Sequence, residues 1–491
     1  MLRRENERLR GEVERLRQQL TEQAEQIAEN KRQIAGAEKQ IADLERQLAL
    51  RKRNSTNSSK PPSSDGPAGE SRQRGRPKKS RRKVGGQPGH QGTHRPLAPA
   101  ERVDEVRVVL PEQCKHCGPS LTGPVEQVRT AGHPHRHQVT EVPPIQAHII
   151  EYQCHRVVCP ECGGSTRAAL PPEAAGRFGP QLTALIAYPT VVCRMPRRVV
   201  EALLWQVLEI EIGLGSTQKC WEEASQAVAA PRQELEQRLK DEPVLNIGET
   251  GWRTNGAKRF LWAFVAARYV VYTVAATRGS EVLIRLLGAM FQGILCSDRF
   301  SAYLKYHHGK AQFCWAHLKR NLLGIVEFTK SGAVERFCRD ALAERAKLFR
   351  LWHKFRGGRI DRRQLLLGSI PIQQRIFALA EWNLDSPPRE VGNLAAALFE
   401  HNERLFSFLE HEGVEPTNNS AERALRTGVQ WRKICFGNRS ATGEPATARL
   451  LTVSGTCDLQ CLNILAYLSA AIATHRRRLS VVSLLPRQLP S

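Results

Sequence analysis

Between residues 244 and 328 the hydrophobic pattern changes period repeatedly. The order of those changes restricts the fold more than any other feature of the chain. Residues 244–247 are a short apolar run. Residues 259–267 and 269–276 read as strands joined by a tight connection, and residues 281–290 as a helix. Residues 293–297 form an apolar run ending at Asp298, residues 311–314 another strand, and residues 315–328 a helix. A β-β-β-α-β-α order predicts an α/β core on a mixed sheet. Residues 330–410 read as mostly helical and interrupt that core. Residues 417–425 open a further helix that Thr417, Asn418 or Asn419 can cap.

Two carboxylates in this region sit where chemistry is usually kept. Asp298 ends a strand in ILCSDRFSAY, and Glu422 lies one turn into the helix of PTNNSAERALR. A strand-end acid and a helix acid facing the same sheet suit Mg²⁺ or Mn²⁺, which take hard oxygen ligands and keep water on their remaining positions. Such ions promote phosphodiester chemistry by activating one oxygen and stabilising another. The first strand, in VLNIGETGW, runs instead into Gly248, with Glu249 one residue late. Successive strand side chains point to opposite faces, so position 248 facing the metals puts Glu249 away from them unless the strand bulges.

The rest of the chain points to DNA. With 73 Lys and Arg against 49 Asp and Glu, the net charge is +24, and much of it is clustered. Clustered positive charge favours a polyanionic partner over a merely basic surface. Residues 1–50 keep 4-3 apolar spacing from Leu2 to Leu48, with Val13, Leu20, Ile27, Ile34 and Ile41 at a and Leu9, Leu16 and Leu44 at d. That pattern predicts a coiled coil and a parallel homodimer, with Asn6, Gln23 and Asn30 fixing its register. Residues 51–100 are rich in Ser, Pro, Gly and basic residues and predict a disordered basic linker. Arg74, Arg76, Lys78 and Lys79 there form either an AT-hook-like minor-groove reader or a plain polybasic tether.

Cys114 with Cys117 and Cys159 with Cys162, each pair followed by glycine, predict a structural Zn²⁺ knuckle module over residues 101–170. The gap between the pairs is long for a zinc ribbon, and residues 147–153 are expected to supply a hairpin within it. Residues 171–240 read as helical, resembling either a helix-turn-helix module with Arg197 and Arg198 on phosphates or an ordinary helical connector. The N-terminus is charged throughout and is not a signal peptide, and no apolar stretch reaches the ~18 residues of a membrane span. A reducing cytoplasmic setting, associated with the nucleoid, is therefore expected.

The stretches GETGWRTNGAKRFLWAFV, CSDRFSAY, CWAHLKRN and PTNNSAERALR together resemble the transposases of the insertion sequence 66 family. The likeness extends to NSSKPPSSD, GGQPGHQGTHR, the paired cysteines and the C-terminal IATHRRRLSVVSLLP. It implies a multidomain α/β protein with a ribonuclease-H-like core over residues 241–445, a helical insertion at 330–410 and a tail at 446–491. It also implies an Asp-Asp-Glu triad that cleaves transposon ends and joins them to target double-stranded DNA, sometimes with other element-encoded proteins. The second and third acids match Asp298 and Glu422; the first falls on Gly248. Glu249 is then a candidate rescuer, and this copy is expected to be weak or inactive, or to act as a non-catalytic DNA-binding or inhibitory partner. A third class is a zinc-containing coiled-coil scaffold. Cys314, His317 and Arg320 fall beside the site in a CxxHxxR pattern and are expected to orient or pack, a lone CxxH offering too few metal ligands.

Overall fold

The computed structural model describes residues 2–52, 96–121, 123–124, 129, 131–174, 176–328, 332–386 and 389–486. Its centre is a five-stranded mixed sheet. β3, Val244–Thr254, turns into β4, Ala257–Val265, and β4 pairs antiparallel with both β3 and β5, Val270–Ala275. Asn255 and Gly256 make the first turn at φ 47° and 75°. Both central residues at positive φ give the two-residue hairpin whose twist matches the strands. β6, Ile294–Ser297, and β7, Ala311–Phe313, then add in parallel on the other side of β3, giving the order β5-β4-β3-β6-β7. β3 is therefore central and has neighbours on both edges.

Helices cover both faces of the sheet. α6, Glu281–Leu287, and α7, Ser301–Tyr306, lie on the face of Trp262 and Thr273: the Tyr303 ring meets Trp262 edge-on at 6.1 Å, and Arg285 donates to Thr273. The opposite face carries α13, Asn419–Cys435, and α14, Gly443–Leu459. α13 comes so close that a Cβ on Gly428 would stand 2.2 Å from Leu261 Cδ2. Residues 244–254 are strand throughout, longer than the apolar run 244–247 predicts, because the backbone ladder to β4 continues through the glycines.

α8, Trp315–Phe328, leads into the helical insertion: α9, Gly332–Arg356; α10, Arg362–Glu381; α11, Arg389–Glu400; and α12, Glu403–Glu410. These helices pack their own apolar core against Ile294, Cys296 and Phe313 of the sheet. The insertion thus covers β6 and β7 as well as interrupting the chain. It closes where the Trp315 N–H donates to the Pro416 carbonyl at 3.0 Å.

On the N-terminal side lie α2, Pro180–Val191; α3, Arg197–Leu208; α4, Leu214–Ala227; and α5, Ala229–Arg238. The C-terminal segment, expected as a tail, instead holds most of α14 and all of α15, Ile464–Arg476, which packs on α2 and α4. Arg476 is buried there, bonding Glu223 at 2.7 and 3.0 Å and Thr183 at 3.2 Å. A buried charge persists only with such partners. Further upstream, α1, Leu2–Lys52, is one continuous helix about 77 Å long at 1.5 Å per residue. β1, Arg156–Val158, and β2, Ser165–Arg167, form a small antiparallel pair, whereas residues 147–153 are not strand. No helix among the described residues is long and apolar enough to cross a membrane.

Candidate active site

The pairing of β3 with β4 runs without a skipped residue from Asn246↔Val265 to Thr254↔Ala257, so no bulge intervenes at the glycines. Side-chain directions therefore alternate strictly. A Cβ on Gly248 would lie 3.0 Å from Leu425 Cδ1 and 3.4 Å from Ala421 Cβ. Position 248 thus faces α13, against residues flanking Glu422. Glu249 points to the other face, beside Trp262 and α7. Its carboxylate accepts the Tyr303 hydroxyl and the Arg278 guanidinium, the Arg278 Nε bond being 3.1 Å. Burial, and then the neighbouring Asp298, push the Glu249 carboxyl above its ordinary value, while Tyr303 and Arg278 draw it down.

Asp298 follows the last residue of β6. Its Oδ1 accepts the Phe300 N–H at 3.0 Å, which turns the chain into α7. Burial raises its carboxyl; the Phe300 N–H and the Arg278 and Arg299 guanidinium groups oppose this, and Glu422 adds to it. Arg278 also lies over the Phe300 ring at 4.0 Å. Its charge therefore serves Glu249 by direct contact and Asp298 through space.

Glu422 stands in the first turn of α13, with its side chain 38% exposed. Its Oε1 receives Arg320 Nη2 at 3.1 Å and lies 3.6 Å from His317 Nδ1. Burial, then Arg320, lower His317 to about 4, so its ring is neutral at ordinary pH. Cys314, immediately before α8, accepts the Asn418 N–H at 3.1 Å. The donor atoms of Cys314, His317 and Glu422 all lie within 4.8 Å of one another. The third of these, Glu422, comes from far along the chain, outside the CxxH motif itself.

Asn418 joins these pieces. It occupies the N-cap position of α13 without side-chain capping, and its amide instead donates to the Ile247 carbonyl at 2.7 Å. That bond fixes the start of α13 to β3 next to Gly248. At the other end, Asn438 clips α13 to the tip of β3: it donates to the Arg253 carbonyl at 2.9 Å and accepts the Trp252 indole N–H at 2.6 Å. Sequence reading passed over Tyr303, Arg278 and Asn438. Tyr303 lies in CSDRFSAY, but nothing local reveals that it turns toward β3.

Residues 175–446, more than half of the chain, match the sequence profile of a family described as Transposase IS66 family. The chain belongs to that family. Residues 2–96 match a second profile, described only as a family of unknown function. A protein of Sinorhizobium fredii (strain NBRC 101917 / NGR234), named "Uncharacterized protein y4qI", is 27% identical over 240 residues, covering 44% of this chain and 43% of that protein. The chain therefore spans less than half the length of this curated relative.

Within the IS66 transposase region, the two basic candidates on α3 differ. Arg198 is exposed, whereas the Arg197 guanidinium is desolvated and lies 5.1 Å from the Trp221 ring centre. Upstream of it, each cysteine pair forms a tight turn: the Gly118 N–H reaches the Cys114 carbonyl at 3.0 Å, and the Gly163 N–H reaches the Cys159 carbonyl at 2.9 Å. Gly118 and Gly163 have φ of 92° and 70°, which glycine adopts freely. Backbone N–H groups of His116 and Cys117 lower the Cys114 thiol, and those of Cys162 and Glu161 lower the Cys159 thiol. Among the described residues the two pairs are not gathered into one four-sulfur group. Arg74, Arg76, Lys78 and Lys79 lie outside the described residues.

Proposed function

We propose that this IS66 transposase acts on the ends of its element through a ribonuclease-H-like core whose metal ligands are Asp298 and Glu422, and that glycine at position 248 leaves it weak in strand cleavage. The observation that carries this reading is the opposite facing of positions 248 and 249. Position 248 meets α13 beside Glu422, while Glu249 is occupied on the far face by Arg278 and Tyr303. The strand order, with three antiparallel strands followed by two parallel ones, supports the ribonuclease-H-like assignment. Asp298 and Glu422 lie near enough for each to sense the other's charge, and both are hard oxygen donors of the kind a divalent ion such as Mg²⁺ or Mn²⁺ takes. When bound, such ions activate an attacking oxygen and stabilise the leaving one. Asp298 is held in place for this by the Phe300 N–H, and Arg320 orients Glu422.

The same reading assigns DNA contacts to the basic segments around Arg74, Arg76, Lys78, Lys79 and Arg198, and structural Zn²⁺ to the knuckles of Cys114, Cys117, Cys159 and Cys162. The bent thiol turns, with N–H groups aimed at sulfur, favour the thiolate that zinc requires. It also assigns dimerisation to α1, whose seam is apolar yet exposed, Leu20 at 66% and Ile34 at 59%. The test is cleavage of labelled duplexes carrying the element's ends, with Mg²⁺ or Mn²⁺. The unaltered chain should bind but nick feebly, and Gly248→Asp should nick faster. Robust nicking by the unaltered chain, abolished by Glu249→Gln, overturns the assignment.

A further inference from the structure

We infer that Cys314, His317 and Glu422 form a second metal site, selective for Zn²⁺-class transition ions, whose occupancy withdraws Glu422 from the acid pair. The donors are one sulfur, one imidazole nitrogen and one carboxylate oxygen. Sulfur and imidazole select zinc, cobalt or ferrous iron and reject magnesium, which takes oxygen.

The geometry suits an ion better than direct contact between the side chains. His317 Nδ1 and Glu422 Oε1 are 3.6 Å apart, too far for a hydrogen bond. That separation is close to the edge of a tetrahedron with metal–ligand bonds of about 2.0–2.1 Å, roughly 3.4 Å. The full set already spans no more than 4.8 Å, so small side-chain rotations bring it onto one ion. Cys314 immediately precedes α8 and His317 follows three residues later in its first turn, a spacing that places both on one side of the helix start.

The surroundings are also built for a ligand set. The Asn418 N–H donates to Cys314 Sγ at 3.1 Å, the kind of outer hydrogen bond that orients a metal thiolate. Arg320 holds Glu422 Oε1 at 3.1 Å and can pass to the second oxygen when the first takes an ion. With three protein ligands, a fourth position is left for water or a substrate oxygen. Zinc at this site and magnesium on Asp298 and Glu422 compete for one carboxylate; this consequence rests on the function proposed above, whereas the binding itself does not.

Cobalt serves as the probe, because its thiolate complexes absorb in the near ultraviolet. The full-length apo chain is titrated with Co²⁺ without DNA or Mg²⁺, and bound metal is counted by elemental analysis. Cys314→Ser should remove about one equivalent of cobalt and its share of the thiolate band, the knuckle cysteines supplying the remainder. Because Cys314 is buried, Glu422→Gln, at a half-exposed position, provides the second variant. Both should weaken this one site by more than about 100-fold, beyond the range of outer-shell changes. Asp298→Asn, which alters only the oxygen site, should leave the thiolate band and its titration midpoint as in the parent, even where total bound cobalt falls. An unchanged thiolate-band titration in Glu422→Gln with native circular dichroism overturns the proposal. So does an equal loss of that band in Asp298→Asn, which would place the ion on the acids. Failure of the cleavage reading would leave this titration untouched.

Discussion

Gly248→Asp is the sharpest perturbation this structure offers. The backbone at 248 is an ordinary strand conformation that aspartate adopts without strain, and glycine and aspartate are both poor strand formers, so propensity changes little. The new Cβ sits 3.0 Å from Leu425 Cδ1, so that methyl must retreat by a few tenths of an ångström. Charge is the larger effect. A carboxylate ~5 Å from a like charge, at an effective dielectric of about 20, costs roughly 3 kcal/mol. Without divalent metal, the variant should therefore melt below its parent. An ion bridging 248, Asp298 and Glu422 at 100 times its dissociation constant returns about 2.7 kcal/mol. For a region of this size that is about 5 °C. The assay is thermal unfolding of parent and variant with and without Mg²⁺ or Mn²⁺, beside the nicking assay, where the same free energy corresponds to about 100-fold in rate. A melting temperature of Gly248→Asp indifferent to both ions would refute the reasoning, because position 248 would then not join the other acids.

Gly437→Ala should cost about 2–4 kcal/mol and lower the unfolding midpoint in urea: φ there is 99°, and the added Cβ would stand 2.2 Å from the Arg253 carbonyl that Asn438 must reach. Glu249→Gln should raise the melting temperature at pH 7, with the gain shrinking as pH falls toward 4.5. The folded carboxyl lies above its ordinary 4.5, so its favourable contribution is present at low pH and lost as pH rises through the folded value. Melting curves across pH would check this, and a gain that grows on acidification would contradict the sign. Arg198→Ala should weaken DNA binding and flatten its salt dependence by about one phosphate contact. Arg197→Ala should mainly destabilise α3 through lost packing on Trp221, which thermal melts separate from DNA-binding titrations.

Locally periodic elements were legible in the sequence. The bounds expected for α8 match those observed, because it carries an amphipathic stripe that its neighbours bury. The mixed sheet followed from the order of the runs. β3 was underestimated because glycine carries no side-chain signal, although its ladder bonds hold as well as any other residue's. α5 falls within the stretch that reads as helical, and Pro231 is no breaker there because it sits in the first turn, where no N–H is needed. α14 and α15 were hidden because polar residues such as Thr452 and Thr456 are buried there, bonding the Tyr272 and Val270 backbone. At the site, Asp298 and Glu422 could be picked out from their flanks. The partners of Glu249, and the meeting of Glu422 with Cys314 and His317, depend on contacts between residues distant in sequence, which no local pattern encodes.

The bond from Trp315 to the Pro416 carbonyl bears on how this family can be re-engineered. The helical excursion leaves and rejoins the sheet at one narrow waist, and the Arg356–Glu415 ion pair ties the start of the α9–α10 hairpin back to it. Extending the exposed hairpin between α9 and α10, near Gly357 and Gly358, adds only about 0.6 kcal/mol of closure entropy per doubling of loop length. A reporter domain grafted there should leave the sheet intact. Excising the excursion at its waist is a different operation, because it would strip Ile294, Cys296 and Phe313 of their apolar cover and expose an apolar sheet face to aggregation.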